Sequence, residues 1–323
     1  MNNFFKKLDK EIKQHKNIII MGHANPDLDC IGSSLGLYKA IEKNVYIFRT
    51  REKLNESMKK AFKALEEEDI KFIDKTNYKE YLEKPLLIIT DLQRRSLLEY
   101  EEILNEIEDV VIIDHHLLGK DKIEAKLEYI DSKASSATEI AVQYLRYKEK
   151  EVDNIIATIM LAGIEIDTNG YNMKTTEKTF RTAAYLMYMG ADNILKQNIL
   201  KISKEEYIKR TKQIEKSYLI NNMMICKLHK KNYNPSYLAT MSEDLLRFDK
   251  VEASFTIGKL SNNKIGISAR SLGNINVETY MSRLGGGGHL TDAACQLENK
   301  TIKEAEKLLL KLIKEVKHES DIS

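Results

Sequence analysis

His23, Asp27 and Asp29 fall within the stretch GHANPDLD, directly after the apolar run Ile18 to Met21. A hard divalent cation asks for carboxylate oxygens and a borderline one also takes imidazole, so a tight loop can aim three such groups at one point. Standing alone, the same loop reads as a polar turn with an Asp at a helix N-cap. Two more apolar runs end in the same way: Leu86 to Ile89 leads to Asp91, and Val110 to Ile113 leads to Asp114, His115 and His116. Another carboxylate, Asp167, closes the strongly apolar segment NIIATIMLAGIEID. Together these groups suffice for two metal ions with one carboxylate bridging them.

The elements that must position them follow from the alternation of patterns. Short apolar runs alternate with helical periodicity through the first half, which predicts a parallel sheet. In such a sheet ligands gather beyond the carboxyl ends of the strands, so the three strand exits should converge. A helix is expected from about Ile31 to Glu42, where Gly32, Ser33 and Ser34 would cap its start or offer donors to a phosphate. Ser135, Ser136 and Thr138 precede a helix from Glu139 to Tyr147, and helices then run from Val152 to about Ser217. The predicted class is α/β: an N-terminal parallel-sheet domain (1–195), a helical connector (196–218) and a smaller mixed α/β domain (219–323).

Composition bounds the partners. The 323 residues suit about two domains, and 51 basic against 49 acidic residues leave a formal charge of +2. No global field would draw in long nucleic acid. Without tryptophan, an extended stacking platform is not expected either. The apolar stretches fall short of the ~20 residues a membrane span needs, and the polar N-terminus MNNFFKKLDKEIKQHK reads as an amphipathic helix, so a cytoplasmic protein is expected. Cys30, Cys226 and Cys295 are odd in number and widely spaced, and are assigned to packing.

Two features of the last third carry chemistry. Ser268-Ala269-Arg270-Ser271 puts an arginine at the end of an apolar strand, within a hairpin whose turn is Ser261, Asn262 and Asn263. Gly285-Gly286-Gly287-Gly288-His289 suits a backbone that approaches a ligand closely and presents amides and an imidazole to phosphate.

Taken in order, GHANPDLD, Asp91, DHH at 114–116, Asp167 and GGGGH at 285–289 resemble the DHH phosphoesterases with their DHH-associated C-terminal domain. MGHANPDLDCIG, MLAGIEIDT, ASFTIG, ISARSLGNINV and LGGGGHLTDAA look most like the cyclic-di-AMP phosphodiesterase branch, the GdpP type. The resemblance implies hydrolysis of cyclic di-AMP to linear pApA with two manganese ions per subunit, magnesium or cobalt being substitutes. It implies His23, Asp27 and Asp91 around one ion, and Asp29, Asp91, His115 and Asp167 around the other, with Asp91 bridging. Asp114 would orient His115, and His116 would face the scissile phosphate and assist the leaving oxygen. Ser135, Ser136, Arg270, Gly286, Gly287, Gly288 and His289 are the implied substrate contacts, and a homodimer is implied as well.

The chain departs from that branch where Gln93 replaces a basic residue or histidine, where Leu117 and Leu118 replace arginines, and where Lys174 and Lys178 stand for arginine. Lysine cannot make the bidentate fork of arginine, which leaves cyclic against linear preference open. The branch's N-terminal membrane, sensor and degenerate cyclase modules have no counterpart here, as in a stand-alone form or an excised catalytic part. The alternatives are a nano-RNase or pApA hydrolase, a 3′-phosphoadenosine phosphatase, and a nucleotide-binding sensor without turnover.

Overall fold

The computed structural model describes residues 1–49, 54–116, 121–261 and 263–322. The chain divides into two compact units, Met1–Ile202 and Ser203–Ser323. The first contains, in order, α1 (Asn2–Gln14), β1 (Asn17–Met21), α2 (Leu28–Ala40), β2 (Asn44–Phe48), α3 (Glu56–Ala64), β3 (Phe72–Ile73), β4 (Pro85–Thr90), β5 (Val110–Asp114), β6 (Leu127–Ile130), α4 (Ala137–Tyr147), α5 (Asn154–Asp167), α6 (Glu177–Tyr188) and α7 (Asn193–Leu200).

Its strands pair in parallel in the order β3-β2-β1-β4-β5-β6. The order reverses between β1 and β4, the switch point at which open parallel sheets place their ligands. The runs in the central strands β1, β4 and β5 are almost wholly apolar because both faces are covered. Ile18, Ile20, Leu86, Ile88, Val111 and Ile113 pack into one core with the helices. Ile19, Met21, Leu87, Ile89 and Ile112 pack against Tyr78, Leu92, Leu98 and Ile103 on the other face.

Two local differences from the sequence reading matter for the site. Helix α2 begins at Leu28, because the Asp27 carboxylate accepts from the Asp29 and Cys30 amides and caps the helix there. Gly32, Ser33 and Ser34 therefore lie inside α2. The Ser33 and Ser34 hydroxyls donate to the Cys30 carbonyl, and neither caps the helix. Helix α5 crosses the start of α2 so closely that a Cβ on Gly163 would lie 2.5 Å from the Leu28 carbonyl oxygen and 3.1 Å from Asp29 Cα. Glycine in MLAGIEID thus lets the helix that ends at Asp167 reach the turn that carries Asp29.

The second unit contains α8 (Lys204–Ile214), β7 (Tyr218–Ile220), β8 (Met223–Tyr233), α9 (Pro235–Leu245), β9 (Ala253–Leu260), β10 (Ile265–Ser271), α10 (Val277–Arg283), β11 (Gly287–Gly288), β12 (Asp292–Leu297) and α11 (Ile302–Ile322). They form a mixed sheet, β11-β12-β10-β9-β8-β7, in which only β8 and β9 run parallel. Phe255, Ile257 and Ile267 face Met281 and Leu309 of α10 and α11, whereas Cys226 and Leu228 face Leu238 and Met241 of α9. The expected hairpin is β9–β10; Asn262 of its turn lies outside the described residues, as do Leu117 and Leu118. The α/β class, parallel sheet first and mixed sheet second, is as expected. Among the described residues no helix is long and apolar enough to cross a membrane.

Candidate active site

The site is built at the carboxyl ends of β1, β4 and β5. His23 follows β1, and Asp27 and Asp29 lie at the cap and first turn of α2. Asp91 follows β4 with φ +61°, a left-handed conformation uncommon outside glycine and found at sites where the surroundings hold it in place. Its N–H donates to the Ile113 carbonyl at 3.0 Å, so the turn is keyed to β5, from which His115 emerges.

Distances connect these groups into one cluster. His23 Nε2 lies 3.5 Å from Asp91 Oδ2 and 3.9 Å from Asp27 Oδ2. His115 Nε2 lies 3.3 Å from Asp91 Oδ1, 3.1 Å from Asp167 Oδ2 and 3.6 Å from Asp29 Oδ2. Asp91 Oδ1 and His115 Nε2 are buried and have no hydrogen-bond partner among the described residues. Carboxylate and imidazole lone pairs converging on one point are what a divalent cation fits, since burying such atoms without a partner is otherwise costly. The donors of Asp29, His115 and Asp167 lie within 4.8 Å of one another, as do those of Asp91, His115 and His116. A third such group joins His23 and Asp91 to Cys30, which the sequence reading gave to packing alone. Its Sγ also fills the space where a Gly22 Cβ would stand, at 2.0 Å, so it is packed and beside the cluster at once.

Crowding of like charge shows in the acidities. Burial, followed by the charges of Asp91 and Asp167, raises Asp29 well above the usual carboxylate range. Asp27 is pushed up to about 6, mainly by burial, with His23 working against it. Burial would raise Asp91 too, but the adjacent His115 and His23 imidazoles hold it below its ordinary value. Burial would lower His23, yet Asp91, Asp27 and Asp167 raise it to about 9.

Asp29 has a second task. Its two oxygens accept from the Ala137 and Thr138 amides at 2.7 and 2.8 Å, so it holds the N-terminus of α4 as well as facing His115. Ser135 and Ser136 are therefore not available as substrate contacts through their hydroxyls, contrary to expectation. Both are fully buried. Ser135 Oγ donates to Glu139 Oε2 at 2.6 Å, and Ser136 Oγ accepts from the Glu139 amide as the cap of α4. Lys178 Nζ sits 3.8 Å from Glu139 Oε1, and Thr179 Oγ1 donates to Oε2, so Lys178 is tied to a buried carboxylate.

The expected Asp114–His115 ring contact is replaced by a different one. Asp114 Oδ1 accepts from the His116 Nδ1 at 2.8 Å and from the amides of His115 and His116, and so it orients the His116 imidazole. Burial would lower His116, but this bond and the charge of Asp91 raise it. Gln93 Nε2 donates to Asp114 Oδ2 at 2.9 Å and to the His116 carbonyl at 3.0 Å.

In the second unit, Arg270 at the end of β10 donates from Nε to Glu243 Oε1 at 3.1 Å and from a terminal nitrogen to the Ala269 carbonyl. The glycine run has mostly local causes. Gly285 has φ +79° just after α10, and a Cβ on Gly286 or Gly288 would lie 2.1 to 2.4 Å from β12 backbone atoms. Gly287 alone in the run combines open space with no positive φ. The His289 amide donates to the Asp292 carbonyl at 2.6 Å.

The pattern of the DHH family, N-terminal domain, matches residues 17–164, and that of the DHHA1 domain matches residues 216–319. The chain belongs to the DHH family. Within it, the chain is 37% identical over 322 residues to the cyclic-di-AMP phosphodiesterase GdpP of Geobacillus thermodenitrificans, an alignment covering 94% of this chain and 48% of that protein. The chain thus spans about half the length of the curated cyclic-di-AMP phosphodiesterase it matches. It is 26% identical to the bifunctional oligoribonuclease and PAP phosphatase NrnA of Mycoplasma genitalium, covering 90% of this chain and 91% of that one. An exopolyphosphatase-related protein from Bacteroides fragilis shares the fold, with a TM-score of 0.78 at 19% identity over 96% of both chains.

Within the DHH unit, the sequence reading took Gln93 only as a departure, gave Cys30 to packing alone and passed over Glu139. Glu139 gave no signal beyond a carboxylate early in a helix. Cys30 did give one, since it directly follows Asp29.

Proposed function

We propose that the chain is a manganese-dependent phosphodiesterase that opens cyclic di-AMP to linear pApA. The observation that carries this reading is Asp91, whose Oδ2 lies 3.5 Å from His23 Nε2 and whose Oδ1 lies 3.3 Å from His115 Nε2. A carboxylate with one oxygen toward each histidine suits a bridge between two ions, His23, Asp27 and Asp91 on one side and Asp29, Asp91, His115 and Asp167 on the other. Two divalent cations held there would polarise the phosphate and supply a nucleophilic water near neutral pH. The mixed set of histidines and carboxylates supports manganese over magnesium, with magnesium or cobalt as substitutes.

The chain's own groups do the rest. Asp114 holds His116 through Nδ1, which leaves Nε2 as the ring nitrogen for the substrate; a proton held there would go to the departing 3′ oxygen. Residues 1–195 carry the catalysis in this reading. Arg270 and the run Gly286, Gly287, Gly288 and His289, within 219–323, carry nucleotide recognition. Identity of 37% to a protein named for cyclic di-AMP supports the cyclic substrate. The near full-length match to an oligoribonuclease and PAP phosphatase favours a second reading, in which short linear nucleotides are preferred.

The deciding experiment is kcat/KM for cyclic di-AMP, pApA, cyclic di-GMP and a short RNA at one manganese concentration. Cyclic di-AMP should lead. If pApA or RNA exceeds it tenfold, ~1.4 kcal/mol in transition-state binding, the second reading replaces the first. Sedimentation tests the homodimer that belongs to the same proposal.

A further inference from the structure

The geometry points to Gln93 as the residue that positions His116. Its side chain is 1% exposed and sits in the turn after β4, where its main-chain carbonyl accepts from the Ile123 amide at 2.8 Å. Nε2 donates to Asp114 Oδ2 at 2.9 Å and to the His116 carbonyl at 3.0 Å. A carboxamide nitrogen carries two hydrogens, and two acceptors stand within reach of them. Turning the amide over would set its oxygen against a carboxylate and a carbonyl, so the two acceptors fix its orientation.

His116 is consequently gripped twice. Its ring is held through Asp114, whose Oδ1 accepts from Nδ1 at 2.8 Å, and its main chain is held directly by the amide. A glutamate in this place would offer only acceptors to two acceptors. A lysine would bring a positive charge into contact with Asp114. Glutamine is a neutral double donor, and it adds no charge that would compete with a cation for the carboxylates around it.

The catalytic part of this inference rests on His116 acting on the phosphate, whereas the grip itself does not. The test is nitrogen NMR of histidine-labelled protein loaded with magnesium, together with manganese-supported kinetics on cyclic di-AMP, for wild type, Gln93→Met and Gln93→Glu. In wild type, His116 should show a protonated Nδ1 whose proton exchanges slowly. In both variants that proton should shift or broaden while bound metal is unchanged. Turnover should fall in kcat by about ten- to a hundredfold, with little change in KM. In a His116→Ala background, Gln93→Met should add nothing further. An unprotonated His116 Nδ1 in wild type overturns the inference, and so do variants that keep both the wild-type signal and kcat. Should the methionine variant fail to fold, the isosteric glutamate variant and the wild-type spectrum still decide. If wild type turns over no dinucleotide, the proposed function fails, and the spectra alone decide whether Gln93 holds His116.

Discussion

Asp91 Oδ1 lies 3.3 Å from His115 Nε2, and both atoms are buried without a hydrogen-bond partner among the described residues. A divalent cation would satisfy both atoms at once. Asp91→Asn is the sharpest test, because asparagine tolerates the φ of +61° that Asp91 adopts and loses only the charge. Elemental analysis should find bound manganese reduced by at least about half, and turnover lost. Full occupancy in this variant would remove Asp91 from the bridging role.

His116 should separate from His115 by metal content. His116→Ala is expected to keep its manganese and to lose about a hundredfold or more in kcat, the range for a lost acid–base group. His115→Ala is expected to lose metal. If the two outcomes exchange, the two histidines exchange roles.

Gly163 should be intolerant of the smallest addition. A methyl there meets the Leu28 carbonyl oxygen at 2.5 Å, and backbone cannot step aside as a side-chain end can. Gly163→Ala should cost about 1–3 kcal/mol in chemical denaturation, as overpacking does. It should also weaken manganese binding, since α5 and the Asp29 turn are forced apart. An unchanged midpoint with unchanged metal affinity would show that α5 does not set that spacing.

The second unit offers a contrast within one glycine run. Gly288→Ala places a methyl 2.3 Å from Ala293 Cα, at a φ of +150°, and should lower the melting temperature. Gly287→Ala meets nothing within 4 Å and should leave it unchanged. If the run contacts substrate, Gly287→Ala, Arg270→Ala and His289→Ala should each raise KM with metal content intact. For the two charge-assisted contacts the expected loss is about 1.5–3 kcal/mol in kcat/KM. Unchanged kcat/KM in all three would confine GGGGH to its structural role.

The convergence of strand exits was legible because burial on both faces makes parallel strands plain in a sequence, and an acid or histidine directly after such a run has few other reasons to be there. His23, Asp91 and His115 were found that way. Partnerships across long separations were not legible. Nothing in the spacing says that Asp29 would cap the helix at Ala137, and that contact is what turns Ser135 and Ser136 inward. The roles of Asp114 and Gln93 depend on which of two adjacent rings the Asp114 carboxylate meets, which residue types do not encode. The start of α2 was placed near Ile31 although an Asp cap was one reading of the loop, because residue types do not say which aspartate caps; the bonds of Asp27 to the Asp29 and Cys30 amides put the start at Leu28.

The strand order has a kinetic side. Asn17 of β1 pairs with Pro85 of β4 with two whole strands and two helices of chain between them, and His23 meets Asp91 only after that loop has closed. Closures of this length are slow, and Asp167 arrives later still, at the end of α5. On the ribosome, His23 and Asp27 emerge long before the residues that complete their cluster. A cation therefore finds its full set of donors only once the first unit has all but finished folding. Its stabilisation should appear as slower unfolding, with the folding rate almost unmoved.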